Sequence, residues 1–383
     1  MRFYRHVAPP LRLVDAAVRY SHFEQLKPLC PLCRQAASPI ESPLRLVSVF
    51  REEDGIVVEG ILNCANQDCQ REYPIIDGIP LILSGLRDYI ANNVLPVLKR
   101  SDLHPTTESV LGDCLGPNSA IDAIRYQVSC YAWDHYGCHD PQTAGSNPSP
   151  GMTRSLLEAG LELCEKLPTG PRLDVGCSVG GMAFEIAANC NDLVLGIDVN
   201  FSMLRVAQQV LRTGCVSYPL RRVGLVYDQR EFNIDVERRQ YVDFWACDAC
   251  ALPFDKSTFS VVTALNVLDC VSSPLEFLYS MEACISPGGR LILTTPYDWS
   301  GAATPYESWI GGHSQRGPDN GAGAPLLSRL LTPGAHPQAL RGLELRAEKD
   351  NLPWTVRLHE RSLMNYQVHL IIAGKRFDLD QQN

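Results

Sequence analysis

The apolar and polar positions of this chain change period several times along its length. Leu44–Phe50 and Gly55–Leu62 alternate, as strands with one covered face do. Leu86–Arg100 has the spacing of an amphipathic helix, and a shorter helix is expected around Leu11–Glu24. Residues 101–119 are polar and carry Pro105, Gly112, Gly116 and Pro117, which reads as a linker. Ala120–Tyr136 reads as a helix rich in rings, including Tyr126, Tyr131, Trp133, His135 and Tyr136. Such a helix either covers the core or closes over a ligand. Beyond a Pro/Ser/Gly loop at Asp140–Gly151, Leu156, Leu157, Leu161 and Leu163 place a helix over Met152–Lys166.

From Pro171 the rhythm changes. Pro171–Val175, Asp192–Ile197, Val242–Ala246, Phe259–Leu265 and Arg290–Thr295 read as short buried strands. Met182–Cys190, Phe201–Arg212 and Pro274–Ile285 fall between them with helical spacing, and Pro287-Gly-Gly289 reads as a helix exit turn. Leu343–Lys349 and Tyr366–Ala373 supply a late antiparallel edge. Strands separated by helices in this order predict an α/β fold, with a doubly wound, mostly parallel, seven-stranded sheet. Thr213–Tyr241 holds Arg221, Arg222, Arg230, Arg238 and Arg239 among acids, and reads as a solvated insertion.

At 383 residues the chain is long enough for two or three domains. The expected division is residues 1–100 as a small N-terminal domain with a flanking helix, 101–151 as linker and lid helix, and 152–383 as the α/β domain. The net charge of −9 argues against a general nucleic-acid binder. No apolar run reaches the length of a membrane span, and the first twenty residues hold no signal-like apolar core. Most of the fifteen cysteines are therefore expected as thiols in a reducing, cytoplasmic compartment.

Four of those cysteines are spaced for a metal. Cys30 and Cys33 lie three apart, and Cys64 and Cys69 return after the two alternating segments. Two such pairs can complete the tetrahedron of a structural zinc site. The other reading is four buried thiols that pair only in sequence.

The second candidate site is the turn Arg172-Leu-Asp-Val-Gly-Cys-Ser-Val-Gly-Gly181. A strand that stops at glycines and restarts as a helix leaves backbone N–H groups free for a ligand. Asp198 ends the next strand, where an acid can hydrogen-bond a ribose. A dinucleotide oxidoreductase would place Gly-x-Gly-x-x-Gly against a pyrophosphate. Here the acid Asp174 precedes the first glycine, which repels pyrophosphate and suits a cationic sulfonium or ammonium. Each acid also has a plain alternative: Asp174 caps the turn, and Asp269 caps a helix.

Asp174, Gly176, Asp198, Asp248 and Asn266 at successive strand ends resemble the class I S-adenosylmethionine-dependent methyltransferases. The resemblance implies that Gly176, Cys177 and Gly180 hold the methionine moiety and Asp198 the ribose, and that Val199 and Met203 also bind the cofactor. It further implies that Asp248 and Ala249 read the adenine and that Asn266 lies near the methyl group. Arg71-Glu-Tyr-Pro-Ile-Ile-Asp-Gly-Ile-Pro-Leu-Ile-Leu83 resembles the zinc-ribbon family that activates several tRNA and translation-factor methyltransferases. That implies structural zinc on Cys30, Cys33, Cys64 and Cys69, and contact with a protein partner or with this chain's own transferase domain.

A narrower resemblance rests on Asp134-His-Tyr-Gly137, Asn266-Val-Leu-Asp269, Thr295-Pro-Tyr-Asp-Trp299 and Thr304-Pro-Tyr-Glu-Ser-Trp-Ile-Gly-Gly312. These are similar to the C-terminal domain of ovothiol synthase, which methylates a ring nitrogen of 4-mercaptohistidine. It implies an imidazole-like small-molecule acceptor. The catalytic candidates are Asp269, Asn266, His135, Tyr136 and Tyr297, with Trp299 and Trp309 as walls for the ring or the sulfonium. His135 as a buried core histidine, and the two tryptophans as core packing, are the plain alternatives. A peptide, protein or RNA acceptor docked by the ribbon is the alternative function.

Overall fold

The computed structural model describes residues 18–53, 55–98, 105–143, 149–164, 166–313, 315–317 and 319–377. The first part of the helix expected from Leu11 lies outside these residues; its described part is Val18–Leu26. The strands are β1 (Leu44–Glu53), β2 (Ile56–Cys64), β3 (Glu72–Ile76), β4 (Ile79–Ile82), β5 (Arg172–Val175), β6 (Val194–Asp198) and β7 (Cys215–Val223). They continue as β8 (Val226–Asn233), β9 (Val242–Cys247), β10 (Phe259–Leu265), β11 (Ile285–Thr295), β12 (Leu343–His359) and β13 (Ser362–Lys375).

The seven expected strands are present and adjacent, but they are not the whole sheet. One eleven-stranded sheet runs in the order β1-β2-β3-β4-β9-β6-β5-β10-β11-β13-β12. β9, β6, β5, β10 and β11 are parallel to one another, and β13 and β12 close that side antiparallel. The parallel strands are buried along almost their whole length because helices cover both faces. The count rises to eleven because β4 pairs in parallel with β9, matching Leu81 with Ala246 and Ile82 with Cys247. The backbone groups of an edge strand need partners. The small cysteine-bearing module supplies them, carrying its own antiparallel β1–β4 meander into the same sheet.

Side chains fasten the same junction. Arg205 donates to Asp77 Oδ2 at 2.7 Å, to the Pro96 carbonyl at 2.7 Å and to the Val97 carbonyl at 3.2 Å. The Tyr89 hydroxyl donates to the Val199 carbonyl at 2.6 Å. The Leu29 N–H reaches the Pro253 carbonyl at 2.8 Å, and Arg34 donates to the carbonyls of Leu252 and Phe254.

Other segments depart from their sequence patterns. Pro105–Leu115, expected as part of a linker, is helical. Of the helix expected over Leu86–Arg100, residues 99 and 100 lie outside the described residues, and the rest forms two short helices, Leu86–Asn92 and Val94–Leu98. The Pro287-Gly-Gly289 turn lies inside β11. Thr213–Tyr241 is not a solvated insertion. It forms the β7–β8 hairpin, which buries Val216 and Tyr218 and docks on helix Ala120–Tyr136, where the Ser129 hydroxyl accepts from the Arg221 N–H at 2.8 Å. The long β12–β13 hairpin reaches that insertion: Arg357 donates to the Arg221 carbonyl at 3.1 Å and the Glu360 N–H to the Arg222 carbonyl at 3.2 Å.

Because the module and the α/β domain share one sheet, chemical denaturation is expected to show one cooperative transition. Arg205→Ala should lower the unfolding free energy by about 1.5–3 kcal/mol, the range for hydrogen bonds to charged groups. Fluorescence-monitored urea unfolding checks both points. Two well-separated transitions in the native protein would contradict the shared-sheet account.

Candidate active site

The strand order reverses between β5 and β10. The chain leaves β5 toward β6 on one side and returns to β10 on the other. In open α/β sheets this reversal leaves a crevice beyond the carboxyl ends of the strands. A cavity of about 470 Å³ lies there, lined by Asp174, Gly176, Cys177, Asp198, Asp248 and Asn266 among others.

The turn after β5 is shaped by close approaches. Gly176 has φ +69°, and a Cβ there would sit 2.4 Å from a Val267 methyl. Gly180, at φ +86°, would meet Ala207 and Phe244 at 2.6 Å. Ser178 turns left-handed between them, and its N–H donates to Asp198 Oδ2 at 2.8 Å. Asp198 Oδ1 accepts from the Asn200 N–H at 2.7 Å. The acid is thereby aimed before any ligand arrives.

Two polar atoms in the cavity wall have no partner among the described residues. Asp174 Oδ1 accepts from the Thr263 hydroxyl at 2.8 Å, while its Oδ2 is buried and unpaired. Burial, with the charge of Asp198 adding to it, pushes this carboxyl up to about 7. Asn266 is held in a left-handed conformation by Thr294, which hydrogen-bonds both its N–H and its Oδ1. That leaves the amide Nδ2 buried and unpaired. Buried polar atoms are rarely left unpaired, so an acceptor-only oxygen and a donor-only nitrogen on one wall mark a place for a ligand bearing both a cation and an acceptor.

The cofactor candidates Asp174, Gly176, Cys177, Asp198, Val199, Met203, Asp248, Ala249 and Asn266 all line the cavity, as does His135. Gly180 stands behind the wall, as the residue from which helix Gly181–Ala188 starts. His135 is a buried histidine whose Nδ1 accepts from the Gly181 N–H at 3.1 Å. Burial lowers it to about 4, so the ring is neutral and carries its proton on Nε2. It offers the cavity a donor rather than a base.

The remaining catalytic candidates stand off this wall. Tyr136 is fully buried and donates to the Val179 carbonyl at 2.5 Å. Asp269 accepts from the Asp298 N–H at 2.8 Å, and burial pushes its carboxyl up to about 6. The Tyr297 hydroxyl pairs with His369 Nδ1 at 2.7 Å. Trp299 and Trp309 stack on each other at 5.9 Å, and Trp309 donates to the Thr304 carbonyl at 3.0 Å. In their place the wall is completed by Gln127, Tyr131, Thr153, Cys270 and Trp354. Tyr131 had a signal, since it lies in the ring-rich helix. Trp354 had none, because only the fold of β12 brings it back across the sheet.

The four cysteines do meet. The sulfurs of Cys30, Cys33, Cys64 and Cys69 all lie within 4.8 Å of one another, with Cys30–Cys69 at 3.8 Å and Cys33–Cys64 at 3.7 Å. A tetrahedral zinc with Zn–S of about 2.3 Å has S–S edges of about 3.8 Å. The Tyr73 hydroxyl lies 3.1 Å from Cys30 Sγ, the Ser42 hydroxyl 3.2 Å from Cys64 Sγ, and the Asn66 amide donates to Cys33 Sγ at 3.6 Å. Donors placed around clustered sulfurs suit thiolates.

Comparison with known proteins agrees with the strand-end geometry. Residues 173–293 match the family model described as a methyltransferase domain. A ubiquinone biosynthesis O-methyltransferase of Haemophilus ducreyi is 30% identical over 123 residues, which is 32% of this chain and 44% of the relative. A demethylmenaquinone methyltransferase of Renibacterium salmoninarum is 34% identical over 94 residues, which is 23% of this chain and 40% of the relative. The chain thus spans less than half the length of these relatives. Among solved structures, Haemonchus contortus phosphoethanolamine N-methyltransferase 2 with S-adenosyl-L-methionine shares 21% identity, with a TM-score of 0.31 over 45% of this chain and 35% of that one. The cradle at the ends of β5, β6, β9 and β10 falls inside the matched residues, over which this chain carries an S-adenosylmethionine-dependent methyltransferase domain.

Proposed function

We propose that the protein is an S-adenosylmethionine-dependent N-methyltransferase, acting on a ring nitrogen of a histidine-like, imidazole or thioimidazole small molecule. The observation that carries cofactor binding is the unpaired, buried Oδ2 of Asp174. S-adenosylmethionine, when bound, supplies an electrophilic methyl group on a sulfonium. Asp174 would hold its cationic part, Asp198 the ribose hydroxyls, and Asp248 with Ala249 the adenine. Asn266 Nδ2 and the His135 Nε2–H are donors for the acceptor or for the cofactor's carboxylate.

The residues are asked mainly to position, which can contribute about 7–11 kcal/mol toward such a displacement. A neutral imidazole nitrogen already has its lone pair free near pH 7. That lone pair forms the N–C bond as the methyl–sulfur bond breaks, and the proton on the other ring nitrogen passes to water. A small acceptor is favoured over a macromolecule by the added wall of the site, to which Trp354 of β12 and Tyr131 of helix Ala120–Tyr136 contribute, with β12 tied to β7 and β7 in turn to that helix. The imidazole class itself rests on the sequence resemblance.

The cysteine module would carry one structural zinc, with no ligand position left open for catalysis. Its partner is this chain's own transferase domain, gripped through Tyr89, Arg34 and Arg205. Among the described residues no helix is long and apolar enough to cross a membrane. A cytoplasmic enzyme remains our reading.

Three outcomes are expected. Mass spectrometry with methyl-labelled cofactor should find label on imidazole, histidine or thiolated histidine, and Asp198→Ala should abolish cofactor binding in a folded protein. Label confined to protein or RNA fractions would sink the small-molecule acceptor. The second outcome concerns pH. A bound cation favours the carboxylate of Asp174, so binding releases a proton wherever the free site is protonated. S-adenosylmethionine affinity should therefore fall as pH drops below about 7, by up to about tenfold per unit, and level off above it. Calorimetry across this range reads the slope, which Asp174→Asn should remove; a flat profile in the native protein refutes the assignment. Third, metal analysis should give about one zinc per chain, and Cys69→Ser should lower both metal content and unfolding temperature. Metal-free protein with an intact module would reject the site.

A further inference from the structure

Part of the cavity wall does not come from the strand ends. Tyr131 enters from helix Ala120–Tyr136, Thr153 from helix Met152–Glu162 and Trp354 from β12. All three lie outside residues 173–293, the stretch shared with known methyltransferase domains.

Trp354 is held on two sides. Its Nε1 donates to the Thr153 hydroxyl at 3.2 Å, and that hydroxyl gives its one proton to Asp134 Oδ2 at 2.5 Å. Asp134 is itself buried and fixed: it also accepts from the N–H groups of Gly151 at 3.0 Å, Met152 at 2.7 Å and Thr153 at 3.1 Å. The indole packs against Tyr366 with ring centroids 5.0 Å apart, and the Tyr366 hydroxyl is anchored on Asp298 at 3.0 Å. Trp354 therefore cannot swing clear without breaking a buried chain of hydrogen bonds. Tyr131 lines the same cavity; its hydroxyl has no partner among the described residues, although the side chain is largely covered.

The charge of the cavity is one-sided. Asp174, Asp198 and Asp248 line it, and no lysine or arginine is among the described lining residues. A sulfonium cofactor balances part of that charge. An acceptor bringing a carboxylate or phosphate inside would find no lysine or arginine to pair with, beside acids that the cofactor only partly balances, an arrangement that selects against it. Flat aromatic walls favour a flat ring.

We propose that Tyr131 and Trp354 select an uncharged aromatic ring on the methyl acceptor, and that Asp134 and Thr153 are positioning residues for the indole. This deepens the function given above and rests on the cavity binding S-adenosylmethionine. Any acidic group on the acceptor stays at the mouth of the cavity.

The test uses the full chain loaded with S-adenosylhomocysteine at about pH 8, where imidazole is neutral. Calorimetric titration compares 4-methylimidazole with imidazole-4-acetate. 4-Methylimidazole should bind about tenfold more tightly, and Trp354→Ala should weaken it by about tenfold while moving S-adenosylhomocysteine affinity less than about twofold. Trp354→Phe keeps the bulk but loses the Nε1–H, and Thr153→Val removes the hydroxyl. Both should weaken ring binding, and Thr153→Ser should restore it. These milder variants carry the test where Trp354→Ala does not fold. Equal or tighter binding of imidazole-4-acetate overturns the proposal, as does ring affinity unchanged in Trp354→Phe and Thr153→Val. Failure of the native protein to bind S-adenosylhomocysteine would strike the underlying function as well, and is read separately in the first titration.

Discussion

The reversal of strand order between β5 and β10 is the constraint on which the site depends. Neighbouring parallel strands whose connections leave in opposite directions cannot both be capped by the same helix layer. The gap has to be lined by whatever residues end the strands. At β5 that is Asp174 and Gly176, and at β10 it is Asn266. Both ends hold polar atoms without partners, Asp174 Oδ2 and Asn266 Nδ2. Such atoms are costly in a finished core and reasonable in a site waiting for a charged ligand. The Gly176–Val267 contact shows the cost on the other side: the two loops lie so close that no side chain fits at Gly176.

The second constraint is the open edge of β9. A parallel sheet that ended there would expose the backbone of a strand whose next residues, Asp248 and Ala249, line the cavity. Pairing with β4 closes the edge up to Cys247. The same module holds the backbone just past Asp198 through Tyr89 and Val199, and the loop after Asp248 and Ala249 through Leu29, Arg34 and Pro253. Covering an edge and steadying two ligand loops are thus one structural act. The four-cysteine cluster matters to the site because Arg34 directly follows Cys33 and reaches that loop.

Much of this was legible in the sequence, for local reasons. Strands buried on both faces appear as short continuous apolar runs, so β5, β6, β9 and β10 could be read with bounds close to those observed. Acids and glycines at their ends named much of the cavity wall that lies at the strand ends. Paired cysteines at short spacing foretold a cluster whose sulfurs do converge. What failed to show was non-local. Nothing near Ile79–Ile82 says that it will pair with β9, because parallel pairing carries no turn signal. Tyr136 and Trp309 carry the residue types of a binding wall, but their polar atoms are spent on the carbonyls of Val179 and Thr304. Aromatic content identifies a neighbourhood and not which rings face the ligand.

The same distinction governs what relatives can teach about the acceptor. The shared stretch, residues 173–293, holds the strand ends that line the cavity and the helices that pack them. Tyr131 and Thr153 precede it, and Trp354 follows it. The β7–β8 hairpin lies inside the stretch, yet it serves as the bracket on which β12–β13 closes. Cofactor chemistry therefore transfers between such proteins by sequence, since the donor is the same molecule each time. Acceptor chemistry does not, since its wall is assembled from segments joined only in the folded chain. Two methyltransferases with different acceptors can use the same kind of strand-end residues. They would differ in which ring stands where Trp354 does, and in whether a buried carboxylate such as Asp134 fixes it there.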